Sequence, residues 1–161
     1  MGFKASSIIN EAISGRNSTL LNLIAGNSHT GTVGLLFGRD ASLDQDNNTL
    51  LHYAAGGGCT ETVRRLLGKG VPVDTVNKKN DTPLHLAAKG GHTGVVDVLL
   101  RKGASTEAKQ KESWTPLHFA AEQGHTDTVE LLFKKGASIK AAEVDTTSHC
   151  ILLRSRAIWL W

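Results

Sequence analysis

The sequence predicts an all-α fold in which short helix–turn–helix units stack into a solenoid, linked by short β-turn or hairpin connections. A seven-residue motif, TLLHYAA from Thr49, returns as TPLHLAA from Thr82 and as TPLHFAA from Thr115, each time after 33 residues. The downstream segments GGCTETVRRLLGKG, GGHTGVVDVLLRKG and QGHTDTVELLFKKG recur in the same register. A period of this length is typical of units that bury their apolar faces only against one another.

Length and composition fit one folded domain. The chain has 161 residues, of which 40% are hydrophobic and 20% are charged. A chain of this size and apolar content can bury a core. Eighteen basic and fifteen acidic residues leave a formal net charge of +3, which is far below the dense positive charge of a dedicated nucleic-acid binder. We therefore expect that nucleic acid is not the partner.

Cysteine usage and hydropathy bear on location. Cys59 and Cys150 lie far apart and form no CxxC pair, so neither a disulfide framework nor a paired-thiol zinc site is expected. The most apolar stretch, residues 151–161, is short and contains two arginines, which argues against a transmembrane segment. The N-terminus has no apolar run of signal-peptide length. An intracellular protein, cytoplasmic and/or nuclear, is expected.

The repeat pattern divides the chain into three parts. Residues 1–18 are expected to form an N-terminal capping helix, since their apolar residues follow helical spacing. Residues 19–143 form the repeat domain, with units that start near 19, 49, 82 and 115, the first being the faintest copy. Residues 144–161 are an irregular apolar tail. This tail is either a helix that covers the open end of the stack or the product of a changed reading frame.

Within each unit, residue types mark where two helices begin and end. Pro83 and Pro116 suit the first position of a helix, and the threonine before each can cap it. Gly103 suits a left-handed residue that ends the second helix. The second helix of the third unit carries an apolar stripe that is expected to be buried, formed by Val95, Val96, Val98, Leu99 and Leu100. One position of the first helices, held by Tyr53, Leu86 and Phe119, is also expected to lie in the core.

The motif TPLHxAA, followed by GH, V, LL and G at a 33-residue period, resembles the ankyrin repeat, and the resemblance covers roughly residues 19–142. It implies stacked pairs of antiparallel helices joined by extended turns. It also implies a protein partner, held by the concave face that turn tips and first helices form. In ankyrin-like proteins the histidine of the Leu-His pair serves the hydrogen bonding of the turn region.

Catalytic and metal chemistry find little support in the motifs. Six of seven histidines occupy two repeated positions, so they form ladders along the stack and do not converge on one ion. Cys59 stands at the position of His92 and His125, which favours a packing role. The glycine runs lack the lysine and hydroxyl residues of a phosphate loop, and no nucleophile elbow or HExxH pair occurs. We expect no enzyme activity, no metal, no cofactor and no small-molecule substrate.

Candidate binding residues are those that differ between the copies, because the repeated framework is fixed by folding. Trp114 is the most distinctive of them, since tryptophan is enriched among binding hot spots, although its ring could instead stiffen the turn by packing. The lysines would make one side of the groove positive and favour an acidic partner, or they are simply a solvated face. The candidate residues are Asn48, Lys78, Lys79, Asp81, Lys89, Lys111, Glu112, Trp114, Glu122 and Gln123.

These observations predict a protein–protein interaction module that acts as an adaptor, inhibitor or targeting subunit and is monomeric. Its partner would be a protein or peptide with acidic character. Two alternatives stay open at this point. One is a nucleic-acid-associated factor, suggested by the basic balance. The other is a fragment or isoform of a larger ankyrin-repeat protein whose effector domain is absent, suggested by the break in the pattern near Glu143.

Overall fold

The computed structural model describes residues 46–138, and this range contains six helices and no strand. Helices of seven and nine residues alternate, so each unit has a short inner helix and a longer outer helix. This arrangement and order confirm the predicted all-α solenoid. The expected capping helix at 1–18, most of the unit that starts near 19, and the tail at 144–161 lie outside the described residues. The helices are α1 Leu50–Gly56, α2 Thr60–Gly68, α3 Pro83–Lys89, α4 Thr93–Arg101, α5 Pro116–Glu122 and α6 Thr126–Lys134.

Each inner helix begins with a threonine and a histidine that cap one another. In α3, the Thr82 hydroxyl accepts a hydrogen bond from the His85 backbone N–H at 3.4 Å. The ring nitrogen Nδ1 of His85 accepts the Thr82 backbone N–H at 3.1 Å. Pro83 occupies the first helical position, where the missing N–H costs no hydrogen bond. The His85 N–H also donates to the Thr82 carbonyl at 3.0 Å, so backbone and side chains together cap the start of the helix, as the threonine pattern predicted.

A glycine in the left-handed region follows each outer helix after one intervening residue. Gly103 follows α4 with a φ of +89°, and the Ala104 N–H then donates to the Leu99 carbonyl at 3.0 Å. A side chain at this φ would be strained, so glycine fits the position best. The predicted stop is therefore confirmed, and Gly70 and Gly136 repeat it in the neighbouring units.

The core lies between equivalent helices of neighbouring units. Inner helix α3 packs against α1 and α5, and outer helix α4 packs against α2 and α6. The Ala87–Ala88 pair is fully buried, which lets the inner helices approach closely. The predicted stripe of α4 is confirmed, with Leu100 only partly buried at its edge. Leucines at 33-residue spacing fill the centre of each layer, namely Leu51, Leu84 and Leu117 in the inner layer and Leu66, Leu99 and Leu132 in the outer layer.

The turns between units are also joined to one another. The Lys78 N–H donates to the Asp46 carbonyl at 2.8 Å, and the Lys111 N–H donates to the Lys79 carbonyl at 3.0 Å. Within the third unit's turn, the Asn77 N–H donates to the Asp81 carbonyl at 3.1 Å, which closes a short hairpin. The turn tips therefore form a continuous row beside the inner helices.

Candidate functional site

The candidate site is the groove between the row of turn tips and the inner helices. We use "the groove" for the surface formed by residues 46–48, 77–81 and 110–114 together with the facing sides of α1, α3 and α5. Turn-tip and helix residues together line one hollow in the groove. Elsewhere in the groove, the ring of Trp114 on a turn tip packs against the ring of Phe119 on α5. The two walls are thus close enough to contact one ligand.

A ladder of buried histidines fixes the groove's two walls relative to each other. Nε2 of His52 lies 2.9 Å from the Asp81 carbonyl oxygen, and Nε2 of His85 lies 3.1 Å from the Trp114 carbonyl oxygen. Because Nδ1 of each ring accepts a backbone N–H from its own threonine, Nε2 carries the proton and donates to the carbonyl of the next turn. Each inner helix therefore holds the turn of the following unit.

This ladder requires neutral imidazole. Burial lowers the pKa of His85 below its ordinary value of 6.5, although its hydrogen bond to the Trp114 carbonyl and the charge of Asp81 act in the opposite direction. In a buried histidine that accepts at one ring nitrogen and donates at the other, a second proton would face the donor N–H and break that hydrogen bond. The expected role of the Leu-His histidine in the turn region is confirmed.

A second histidine position links the end of each inner helix to the next unit. Nε2 of His92 lies 2.9 Å from the Gly56 carbonyl oxygen, and Nε2 of His125 lies 3.0 Å from the Lys89 carbonyl oxygen. Cys59, at the equivalent position, is buried and its thiol lies 3.5 Å from the Gly57 carbonyl oxygen. The packing role predicted for this cysteine is confirmed. Across residues 46–138, no three histidine, cysteine or carboxylate side chains are grouped as metal ligands would be.

The turn-tip candidates differ in exposure. Lys78, Lys79, Lys111 and Glu112 are exposed, and Asn48 is partly buried, with its side-chain oxygen accepting from Asn77 at 2.9 Å. Glu112 also accepts from the Gln110 amide at 2.9 Å. The most basic part of the groove is therefore its solvent-facing edge.

Asp81 differs from the other turn-tip candidates because it is only 8% exposed. Its backbone N–H donates to the Asn77 side chain at 2.9 Å, and its carbonyl accepts from His52. Its carboxylate oxygen Oδ1 is buried and has no hydrogen-bond partner. A buried carboxylate oxygen without a donor is costly, so this residue needs a functional explanation.

The helix-side candidates extend the groove towards the fourth unit. Lys89, Glu122 and Gln123 are all exposed. The Gln123 amide donates to Glu122 at 3.2 Å. The ammonium group of Lys89 lies 5.7 Å from the centre of the Phe119 ring, which is within cation–π range. The third and fourth units thus share one patch of charged and aromatic side chains.

Trp114 belongs to this patch and is partly buried. The centre of its ring lies 5.2 Å from that of Phe119 at an interplanar angle of 58°, and 5.9 Å from that of His118. These contacts support the turn, as one interpretation of the sequence held. Trp114 keeps part of its surface exposed to solvent, so its packing against Phe119 does not prevent it from contacting a partner.

Two residues of the groove were assigned to the core by sequence reasoning, and that prediction was wrong. Leu86 and Phe119 are only partly buried, whereas Tyr53 at the equivalent position is buried as expected. Leu86 and Tyr53 also line the groove's hollow. The signal that could have found them was present, because this position holds a different residue in each copy.

The hollow lies between the second and third units and has a volume of about 600 Å³. Its floor is open at Gly56 and Gly57, which carry no side chains. The equivalent positions of the next unit are Lys89 and Gly90. The fourth unit has Glu122 and Gln123 there. The hollow is therefore lined by two glycines at positions where the fourth unit has two long side chains. Its lining residues are Asp46, Asn48, His52, Tyr53, Gly56, Gly57, Asn77, Lys79, Asp81, Leu86, Lys89 and Gly90.

Comparison with known families assigns this architecture. The model for ankyrin repeats, in three copies, matches residues 57–143, which is more than half of the chain. Among curated proteins no match to the chain was found. None of the helices between residues 46 and 138 has the length and apolar character needed to cross a membrane. With its 33-residue period, its stacked helix pairs and this match, the chain belongs to the ankyrin repeat family.

Proposed function

We propose that this protein captures a segment of a partner protein in the groove, without covalent chemistry, and acts as an adaptor, inhibitor or targeting subunit. Ankyrin repeats are in general protein–protein interaction modules and a non-enzymatic fold. We further propose that the protein works as a monomer inside the cell, in the cytoplasm or the nucleus. The proposal rests above all on one observation, the gathering of non-repeated residues on a single face.

That observation separates framework from specificity. Residues that recur in every unit, such as Thr82, His85 and Leu84, are buried and serve capping and packing. Residues that differ between units, such as Lys79 and Lys89, are exposed along the groove. A fold fixed by its repeated residues leaves the variable ones free to select a partner. This division supports a binding role for the nine candidates that are exposed or partly buried, whereas Asp81 varies between the units and is nevertheless buried.

The charge of the turn tips supports an acidic partner segment. Lys78 and Lys111 occupy equivalent positions on neighbouring turns, and Lys79 lies next to them through the backbone bond between the turns. Exposed lysines in a row attract acidic side chains and speed the encounter with them. The partly exposed ring of Trp114 offers an apolar anchor at the end of this row.

Affinity capture from a native cell extract tests the proposal. The extract is treated with nuclease, and a groove variant, Trp114→Ala with Lys111→Glu, is compared with wild type. A matched control variant, Val76→Ala with Arg64→Glu, makes the same kinds of change at exposed positions outside the hollow. We expect at least one protein that wild type and control retain and the groove variant loses, while all three melt cooperatively. A retained set that is identical for all three would contradict the proposal.

A further inference from the structure

The hollow between the second and third units combines space with an unmet hydrogen-bond acceptor. Asp81 lines this hollow and is more than nine-tenths buried, and its Oδ1 has no partner. The turn around it is otherwise well bonded, since Asn77 accepts from the backbone N–H groups of Lys79 and Asp81 at 2.9 Å each. Thr62 Oγ1 and Thr75 Oγ1 are also buried without a partner within residues 46–138, but of these three residues only Asp81 lines the hollow. Because Asp81 lines the hollow, a basic side chain placed there would lie beside this residue and could pair with its carboxylate.

The other walls of the hollow suit the stem of a long side chain. Tyr53 contributes an aromatic ring and Leu86 an apolar side chain. Gly56 and Gly57 leave the floor open. Long basic side chains bury their methylene stem along such surfaces while the charged end reaches a carboxylate.

The two lysines that also line the hollow do not cancel this preference. Lys79 and Lys89 are exposed, so water screens their charges. The ammonium of Lys89 lies over the Phe119 ring of the fourth unit. Asp81, in contrast, is buried where charge is screened least. Asp46 also lines the hollow, but it is exposed and is screened in the same way as the two lysines. The buried part of the hollow is therefore acidic although the solvent-facing edge of the groove is basic.

We infer that this hollow receives one basic side chain, an arginine or a lysine, of the partner segment, and that Asp81 pairs with it. The inference rests on the proposed function, because it names an anchor residue for the partner in the groove. The acidic residues of the partner would contact Lys78 and Lys111 on the turn tips. A basic residue among acidic ones would then set which part of the segment lies over the second and third units.

Gly56→Lys tests the inference by filling the hollow. A Cβ atom at Gly56 would meet the Leu86 Cβ at 3.6 Å, an ordinary contact, and the third unit already carries a lysine at this position. Gly68→Lys is the matched control. It makes the same change at the last residue of a helix, where an added Cβ meets nothing within 4 Å. Asp81→Asn removes the charge with little change of shape, and Asp127→Asn, at an exposed site on α6, is its control.

The probe is a library of random peptides displayed on phage and selected on the full wild-type chain. Selected peptides are synthesised, and their dissociation constants are measured for each variant. We expect selected peptides to share an arginine or a lysine. Gly56→Lys and Asp81→Asn should each weaken binding by about tenfold or more, whereas the controls change it by less than about twofold. Replacing the shared basic residue of a peptide by glutamine should remove the difference between wild type and Asp81→Asn.

Three results would decide against the inference or against its premise. Peptides that lose affinity in Trp114→Ala but bind Gly56→Lys and Asp81→Asn as tightly as wild type would overturn the basic anchor and leave the proposed function standing. A shared acidic residue that depends on Gly56 would overturn it as well. Failure to select any peptide that depends on a groove residue would contradict the proposed function itself. Thermal melting of every variant separates these results from misfolding.

Discussion

At three turn tips a residue other than glycine adopts a left-handed backbone conformation. These are Asn47 with φ of 59°, Asn80 with 62° and Ser113 with 65°. Asparagine tolerates this region because its short amide side chain bonds locally, whereas serine has less compensation. The fourth unit's turn therefore contains the least favourable of the three residues.

We expect Ser113→Gly to stabilise the fold. The left-handed conformation costs about 1–2 kcal/mol for an ordinary residue, and the greater freedom of unfolded glycine removes roughly half of the gain. The net increase in the free energy of unfolding should be about 0.5–1 kcal/mol. Asn80→Gly should gain less, which makes it the comparison. Urea unfolding of both variants measures this, and a loss of stability in Ser113→Gly would show that its side chain supports the turn.

His85 makes stability depend on pH. Its pKa in the folded chain is lowered by burial, so the unfolded chain takes up the proton first as pH falls below about 6.5. Stability is therefore complete above this value and decreases as pH falls towards the lowered folded-state pKa. The slope from one such histidine is at most about 1.4 kcal/mol per pH unit.

Unfolding free energies at about pH 7.5 and about pH 5.5 check this expectation, because they bracket the histidine's ordinary pKa. We expect His85→Gln to lose stability at the higher pH and to show a shallower decrease between the two. Leu99→Val is the control, since it lowers stability while His85 stays in place. If His85→Gln kept the full pH dependence, the source would lie in other titratable groups.

At the level of helices, the outer layer depends on leucines that neighbouring units bury together. Leu99 is fully buried in α4, between α2 and α6. Leu99→Ala should lower the free energy of unfolding by roughly 2–5 kcal/mol, because it removes apolar contacts and leaves a cavity. Leu100→Ala, at the partly buried position next to it, should cost clearly less. Guanidinium unfolding compares the two, and equal losses would mean that the units do not stack as described.

At the level of the whole molecule, the row of turn-tip lysines should act on the rate of association. Raising the salt concentration from about 0.05 M to about 0.5 M should slow association with an acidic partner by about threefold to tenfold, since exposed charges are screened. Dissociation should change little. Lys78→Gln with Lys111→Gln should slow association at low salt and reduce its salt dependence. Surface plasmon resonance with the captured partner measures both rates, and a salt effect confined to dissociation would contradict the steering role.

The sequence by itself determined the features that repeat. The threonine before each inner helix, the histidine in its first turn and the glycine after each outer helix act within a few residues, as do the prolines that begin α3 and α5. Their pattern therefore predicts helix ends directly. The 33-residue period then implies stacking, because a lone unit leaves its apolar face exposed. The stripe of α4 and the packing role of Cys59 follow from the same register. The location of most candidate residues along the groove could also be predicted.

Only the tertiary structure decided what depends on the contact between different units. Leu86 and Phe119 looked like core residues, yet both are only partly buried, and Leu86 lines the hollow between two units. Asp81 looked like a surface residue, yet its turn buries its carboxylate. The hollow at Gly56 lies between two units, and residues of both units line it. Burial is set by the side chains that the next unit presents, and a repeat pattern describes each unit without its neighbour.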